Sequence, residues 1–460
     1  MSHTKTEIMP EPASSGIDLI PSHEQTKQPG ELFFVWCAAN IGILGIVYGA
    51  VVVSFGLSFW QSLLAAVVGV ASFSMVGLTS MAGKLGRTTT LTLSRVCFGK
   101  RGNIAPTAFC WINLMGWEAV NLVTGTLTLV ALFSALGITG SHWITALSLL
   151  LFGGLTMVVS MLGQNTVLLM QKWITRTFGV MTLFVVLYLM AHANWTVIMA
   201  LPSGDWLTGF LPAVSVIAAG TGISWAIAGA DYSRDQSEHS RPSAIFSAVV
   251  AGAALPLTLL MFAGILLTAQ IPDLASTENP IAAIGKLLPT WMAIPYLAAA
   301  VAGIVTIAVL SLYSASLNLL SMGVKLRQSH AVMLDAILVV GVALYVLFVS
   351  GDFLGPFIAF LIFCGLFLAA WAAIFILDYV VLRRHQGYEY RALYGDTGVR
   401  KGPLLCWLAG SFSGLMVTKT GFIDGPLALG VFADSSLGLF VSFAVSLVLY
   451  ALLLPSQRSY

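Results

Sequence analysis

Charge is what this sequence has least of. Only 9% of its 460 residues are Asp, Glu, Lys or Arg, against about 25% in a soluble globular domain. That excludes a water-solvated surface over most of the chain. The five cysteines (Cys37, Cys97, Cys110, Cys364 and Cys406) are scattered, with no CxxC pair and no metal-ligand spacing. Neither a disulfide framework nor a zinc site is written into them. None of the seven histidines is paired as HxxxH, and HExxH, GxSxG and a phosphate-binding loop are all missing. A membrane-embedded enzyme and an ATP-driven pump therefore lack their motifs. No cofactor is expected, and no nucleic-acid partner. Residues 1–31 have no apolar h-region, so they are expected to form a short disordered cytoplasmic tail rather than a signal peptide.

What is abundant is apolar sequence, 58% of the chain. Runs of 18 or more apolar residues recur from about residue 33 onward, each long enough to cross a bilayer as a helix. The expectation is an all-α polytopic membrane protein with twelve transmembrane helices. The spans fall near 33–53, 58–82, 104–135, 143–164, 168–194, 208–230, 243–269, 289–321, 332–350, 353–382, 403–418 and 432–454. With both termini cytoplasmic, all but two (Lys286 and Lys419) of the 21 Lys and Arg residues lie on the cytoplasmic side, as the positive-inside rule requires.

Two spans carry glycine where a helix should be continuous. The first reads WCAANIGILGIVYG (36–49), and the sixth has Gly220, Thr221 and Gly222 together at mid-span. They sit five spans apart, in matching positions of two halves. This predicts a 5+5 inverted repeat with discontinuous helices 1 and 6, whose freed backbone groups face substrate and ion. Residues 32–400 would hold this transport core, and residues 401–460 helices 11 and 12 with a short C-terminus.

Four stretches in order then resemble the nucleobase–cation symporter-1 family, which includes cytosine, hydantoin and allantoin carriers. They are MAGKLGRTTTLTLSRVCFGKRGN (81–103), Gly116-Trp117, GADYSRD (229–235) and ILDYVVLRR (376–384). The resemblance implies the LeuT-like fold and a flat nitrogen heterocycle as substrate. That substrate would stack on Trp117 and pair with the amide of Asn121, one turn on. Gly220, Thr221 and Gly222 would supply the other wall. Family members often carry an aromatic where Gly222 stands, so here either Trp225 closes that side or the pocket is open there. A family sodium site would use carbonyls near Ala39 and Gly42 with two hydroxyls of the eighth span, but only Thr306 is present and Ile307 takes the second position. Ser311 and Ser314 are spare hydroxyls nearby.

The charged ends carry two readings. Asp231 with Arg234, and Asp378 with Arg383, are either interfacial anchors or a cytoplasmic gate, anchoring being the commoner role. Glu118 stands apart, a carboxylate beside Trp117 in WINLMGWEAVNL (111–122). An intramembrane acid is expensive on insertion scales. It is expected either as a neutral packed acid or as a proton site that ionises when wetted. The function expected is a secondary active symporter, working as a monomer in the lipid bilayer, with H+ favoured over Na+. The alternatives are a Na+-coupled carrier of hydantoin, allantoin or a vitamin-precursor pyrimidine and, more remotely, a channel or enzyme.

Overall fold

An apolar run in lipid must satisfy its own backbone, so these sequences form helices. The computed structural model describes residues 16–140, 142–160, 164–277, 279–324, 326–350 and 354–457. Among the described residues, nine helices are long and apolar enough to span a membrane. They are Phe59–Gly86, Ile104–Ala135, His142–Ser160, Leu169–His192, Trp206–Ala226, Pro242–Leu267, Thr290–Ser321, Ser329–Ser350 and Gly355–Gln386. A further span is broken, with Pro29–Asn40 and Leu44–Ser54 meeting at 63°. Two shorter helices, Lys401–Met416 and Gly438–Leu454, follow in the expected order. We number these spans 1 to 12 in chain order, the broken pair being span 1. Spans 3 and 8, each 32 residues long, make the most extensive helix–helix contact and form the spine.

The break in span 1 has a local cause. Asn40 Nδ2 donates to the Trp36 carbonyl at 2.8 Å, and the helical ladder stops at Ile41 N to Cys37 O. It restarts with Gly45 N on Gly42 O. Among the described residues, no hydrogen bond reaches the carbonyls of Ala38, Ala39 or Ile41.

Span 6 departs from expectation. Gly220, Thr221 and Gly222 do not interrupt it. They lie in a widened π turn, Ala219–Ile223, and the helix runs on to Ala226 before it ends. Hydroxyls keep this turn satisfied, because Thr221 donates to Ile217 O at 2.6 Å and Ser224 donates to Ala219 O. The true gap is residues 227–229, one turn later, followed by the short 3-10 turn Ala230–Tyr232.

The N-terminal segment is a second correction. Residues 16–28 were expected within a disordered tail, yet they lie hydrogen-bonded across helix ends and loops. Ile20 N donates to Arg87 O at 2.9 Å, Gln25 Nε2 to Lys84 O at 3.1 Å, and Thr88 and Tyr394 both donate to Ile17 O at 2.7 Å. Helix C-termini leave carbonyls unpaired, and this segment's donors meet them. Span 1 accordingly begins at Pro29, and span 12 begins at Gly438 rather than near residue 432.

Spans 1 and 7 cross backbone to backbone at glycine. A Cβ on Gly49 would run into Met261 O, and one on Gly264 into Ile46 O. Gly264→Val is therefore expected to cost at least about 1–3 kcal/mol by overpacking. It should lower the melting temperature of detergent-purified protein sharply, whereas Gly154→Ala, which meets nothing within 4 Å, should not. Equal melting of the two variants would show that the crossing is looser than drawn.

Candidate substrate and coupling sites

Trp117 and Asn121 share one face of span 3 and both are buried. Neither Trp117 Nε1 nor Asn121 Nδ2 has a hydrogen-bond partner among the described residues. Trp117 meets Phe357 of span 10 edge-on, with centroids 5.4 Å apart at 82°. Phe357 in turn lies nearly parallel to Tyr48 of span 1, 6.3 Å away at 24°. Gly220 joins this group, since a side chain there would meet the Tyr48 hydroxyl and Leu361.

The other expected wall residues turn elsewhere. Gly222 packs on the backbone of Ser72 and Phe73 in span 2, which a Cβ would overlap, so it does not line a cavity beside Trp117. Its neighbour Thr221 lies 3.4 Å from Ser72 Oγ. Trp225 is edge-on to Trp36 at 5.6 Å and 83°, inside a cluster with Phe73 and Tyr232. It does not replace the aromatic missing at Gly222. The π turn explains the difference, because it changes the angular step per residue and rotates the register that a straight helix would give. Tyr48 and Phe357 were missed, and an aromatic in an apolar span carries no signal of its own.

Glu118 faces away from this group. It is 2% exposed, and neither carboxyl oxygen has a partner among the described residues. It borders a cavity of about 50 Å³ between spans 3, 4, 8 and 9, with Leu122, Phe152, Thr156, Leu312 and Val339. Asp335 of span 9, fully buried, lies within electrostatic reach of Glu118 and accepts from Trp111 Nε1 at 3.0 Å. Asp335 was also missed, although a lone acid in VMLDAILVV (332–340) is a readable signal.

At the break in span 1, Gly42 faces Ile307, whose Cδ1 would lie 3.2 Å from a Cβ there. Thr306 turns its hydroxyl back onto Gly303 O at 2.7 Å. Ser314 is engaged by the Tyr232 hydroxyl at 2.9 Å, and Ser311 Oγ is buried without a partner. Ala39 contributes an unbonded carbonyl but no side-chain oxygen.

The charged helix ends act as joints between loops and spans. Asp231 accepts from the N–H and hydroxyl of Thr90 at 2.9 and 3.0 Å, capping the short helix Thr90–Leu93. Its neighbour Arg234 does not pair with it by a salt bridge but donates to Gly16 O and to the Tyr313 hydroxyl. Asp378 takes Arg383 Nε at 3.0 Å and the Tyr450 hydroxyl at 2.8 Å, tying span 10 to span 12. Arg95 donates to Ser321 O and Leu393 O.

This architecture is shared with solved transporters. Mhp1, a nucleobase-cation-symport-1 family transporter in a closed conformation with bromovinylhydantoin bound, superposes with a TM-score of 0.75 at 18% identity, over 97% of this chain and 95% of that one. A Na+-coupled sialic acid symporter in an outward-open state gives a TM-score of 0.63 at 9% identity, over 94% and 91%. At such identities the likeness speaks for the fold alone. The class is therefore an all-helical membrane protein of the LeuT-like fold. Residues 19–402 match the family of permeases for cytosine/purines, uracil, thiamine and allantoin. YxlA of Bacillus subtilis (strain 168), named provisionally as a purine-cytosine permease, is 28% identical over 96% of this chain and 95% of its own length. The chain belongs to this family, the nucleobase–cation symporters.

Burial pushes the Asp231 carboxyl up to about 6 from its ordinary 3.8, against the opposing Thr90 N–H. A carboxyl held above its unfolded value binds more protons folded than unfolded. Its contribution to stability is therefore full below about pH 4 and is lost as pH rises past about 6. Asp231→Asn should flatten this part of the melting-temperature profile between pH 4 and 7. An unchanged profile would mean that Asp231 does not titrate there.

Proposed function

We propose that this protein is a proton-coupled symporter that imports a nucleobase or a related flat nitrogen heterocycle. The observation that carries the reading is the pair of buried, partnerless donors, Trp117 Nε1 and Asn121 Nδ2, one turn apart beside an aromatic face. Buried polar groups ordinarily have partners, and a heterocycle edge supplies one to the Asn121 amide while its ring stacks on the Trp117 indole. Membership of the permease family supports the same substrate class. Both termini are cytoplasmic in this reading, and one chain suffices for transport.

Coupling to H+ is favoured over Na+ on two grounds. The methyl of Ile307 covers Gly42, and isoleucine stands where a second hydroxyl beside Thr306 would serve, so a sodium ion would be short of an oxygen. Glu118 and Asp335 are both buried within spans 3 and 9, and intramembrane acids are where proton relays are built. One observation favours a second reading, Na+-coupled transport of a hydantoin, allantoin or a vitamin-precursor pyrimidine. Among the described residues no hydrogen bond reaches the carbonyls of Ala38, Ala39 and Ile41, which leaves them open to an ion.

Trp117→Ala should reach the membrane and fold, yet lose affinity by about tenfold to a hundredfold, the worth of one stacked base. Binding of cytosine or hypoxanthine in a thermal-shift assay checks this, and near-normal affinity removes Trp117 from the site. Glu118→Gln should keep binding and exchange but lose pH-driven accumulation in proteoliposomes. Retention of the wild-type pH profile, or strict dependence of wild-type uptake on sodium, would make Glu118 structural.

A further inference from the structure

Tyr48 of span 1 packs against Gly220 of span 6. Tyr48 lies just past the break in span 1, buried, with its ring nearly parallel to Phe357. Phe357 meets Trp117 edge-on, so the three rings form one continuous aromatic group. The Tyr48 hydroxyl stands where a side chain on Gly220 would have to go. It has no hydrogen-bond partner among the described residues. A buried tyrosine hydroxyl usually finds one, and a group left bare in a solute-binding core is available to a solute.

We propose that Tyr48 is a specificity-determining residue. Packed over Gly220, it supplies from span 1 an aromatic surface beside span 6, and its hydroxyl hydrogen-bonds a carbonyl or ring nitrogen on the edge of the bound heterocycle. This rests on the heterocycle reading of the Trp117 site. A hydroxyl both donates and accepts, so Tyr48 suits planar rings whose edge carries either kind of group. The pairing also explains why glycine stands at 220. Any larger residue there would collide with the Tyr48 hydroxyl and with Leu361 Cδ1, 3.1 Å from the added Cβ.

The test is binding of cytosine, uracil, hypoxanthine and hydantoin to the full-length purified protein, by thermal shift and by competition for one radiolabelled ligand. Tyr48→Phe keeps the ring and loses only the hydroxyl. Its affinity for the ligand the wild type binds best should fall about tenfold, the effect of one lost hydrogen bond. The fall should differ across the panel, because the four ring edges differ in donors and acceptors. Gly220→Trp alone should abolish binding, and Gly220→Trp with Tyr48→Ala should restore much of it by moving the aromatic wall to span 6. Unchanged affinities in Tyr48→Phe, or an equal fall for every ligand as loosened packing would give, overturn the proposal. Trp117→Ala on the same panel separates the two readings. If it loses binding while Tyr48→Phe does not, only the role of Tyr48 fails. If Trp117→Ala binds normally, or no ligand of the panel shifts the wild type, the heterocycle site itself fails and Tyr48 with it.

Discussion

A carbonyl released from a helix ladder inside a bilayer has no water to turn to. That constraint governs this molecule. Span 1 releases the carbonyls of Ala38, Ala39 and Ile41 at a 63° break, and the chain can keep that break only by enclosing it. Gly303 and Ile307 of span 8 close one side of it, Ile307 directly over Gly42. Spans 1 and 7 are locked together at Gly49 and Gly264, which fixes the half of span 1 beyond the break. Just past the enclosed break, Tyr48 leads through Phe357 to Trp117 of span 3.

The second span of the repeat meets the same constraint differently. Span 6 keeps its ladder nearly closed by widening it and by turning the hydroxyls of Thr221 and Ser224 onto its own carbonyls. Less free backbone results, and glycine serves close contact instead, Gly222 against span 2 and Gly220 against Tyr48. Spans 1 and 6 therefore differ in local chemistry. Span 1 offers carbonyl oxygens, and span 6 offers close backbone approach.

Span 3 divides its work by helix face. Trp117 and Asn121 look toward spans 1 and 10, while Glu118, about 100° round the helix, looks toward spans 4, 8 and 9 and lies within reach of Asp335. The Trp117–Asn121 pair and the acidic group thus sit on different faces of one helix. At the helix ends, buried carboxylates hold the loops in place, with Asp231 capping Thr90–Leu93 and Asp378 joining spans 10 and 12.

The membrane class, the order of the spans, the break near Gly42 and the oddness of Glu118 were all legible from the residues. These depend on apolar run length, charge asymmetry and local backbone chemistry, which are properties of short segments. The family was legible because its motifs are contiguous stretches. Which neighbour each helix face meets was not. Helical spacing puts Trp117 and Asn121 on one face, but it does not say that Phe357 and Tyr48 stand opposite. Nor does it say that a π turn swings Gly222 and Trp225 away, or that Asp335 comes up beside Glu118 from more than 200 positions along the chain. Those placements follow from how helices with similar apolar surfaces pack. Lipid gives little preference among such pairings, so only close fits like Gly49 on Gly264 choose between them.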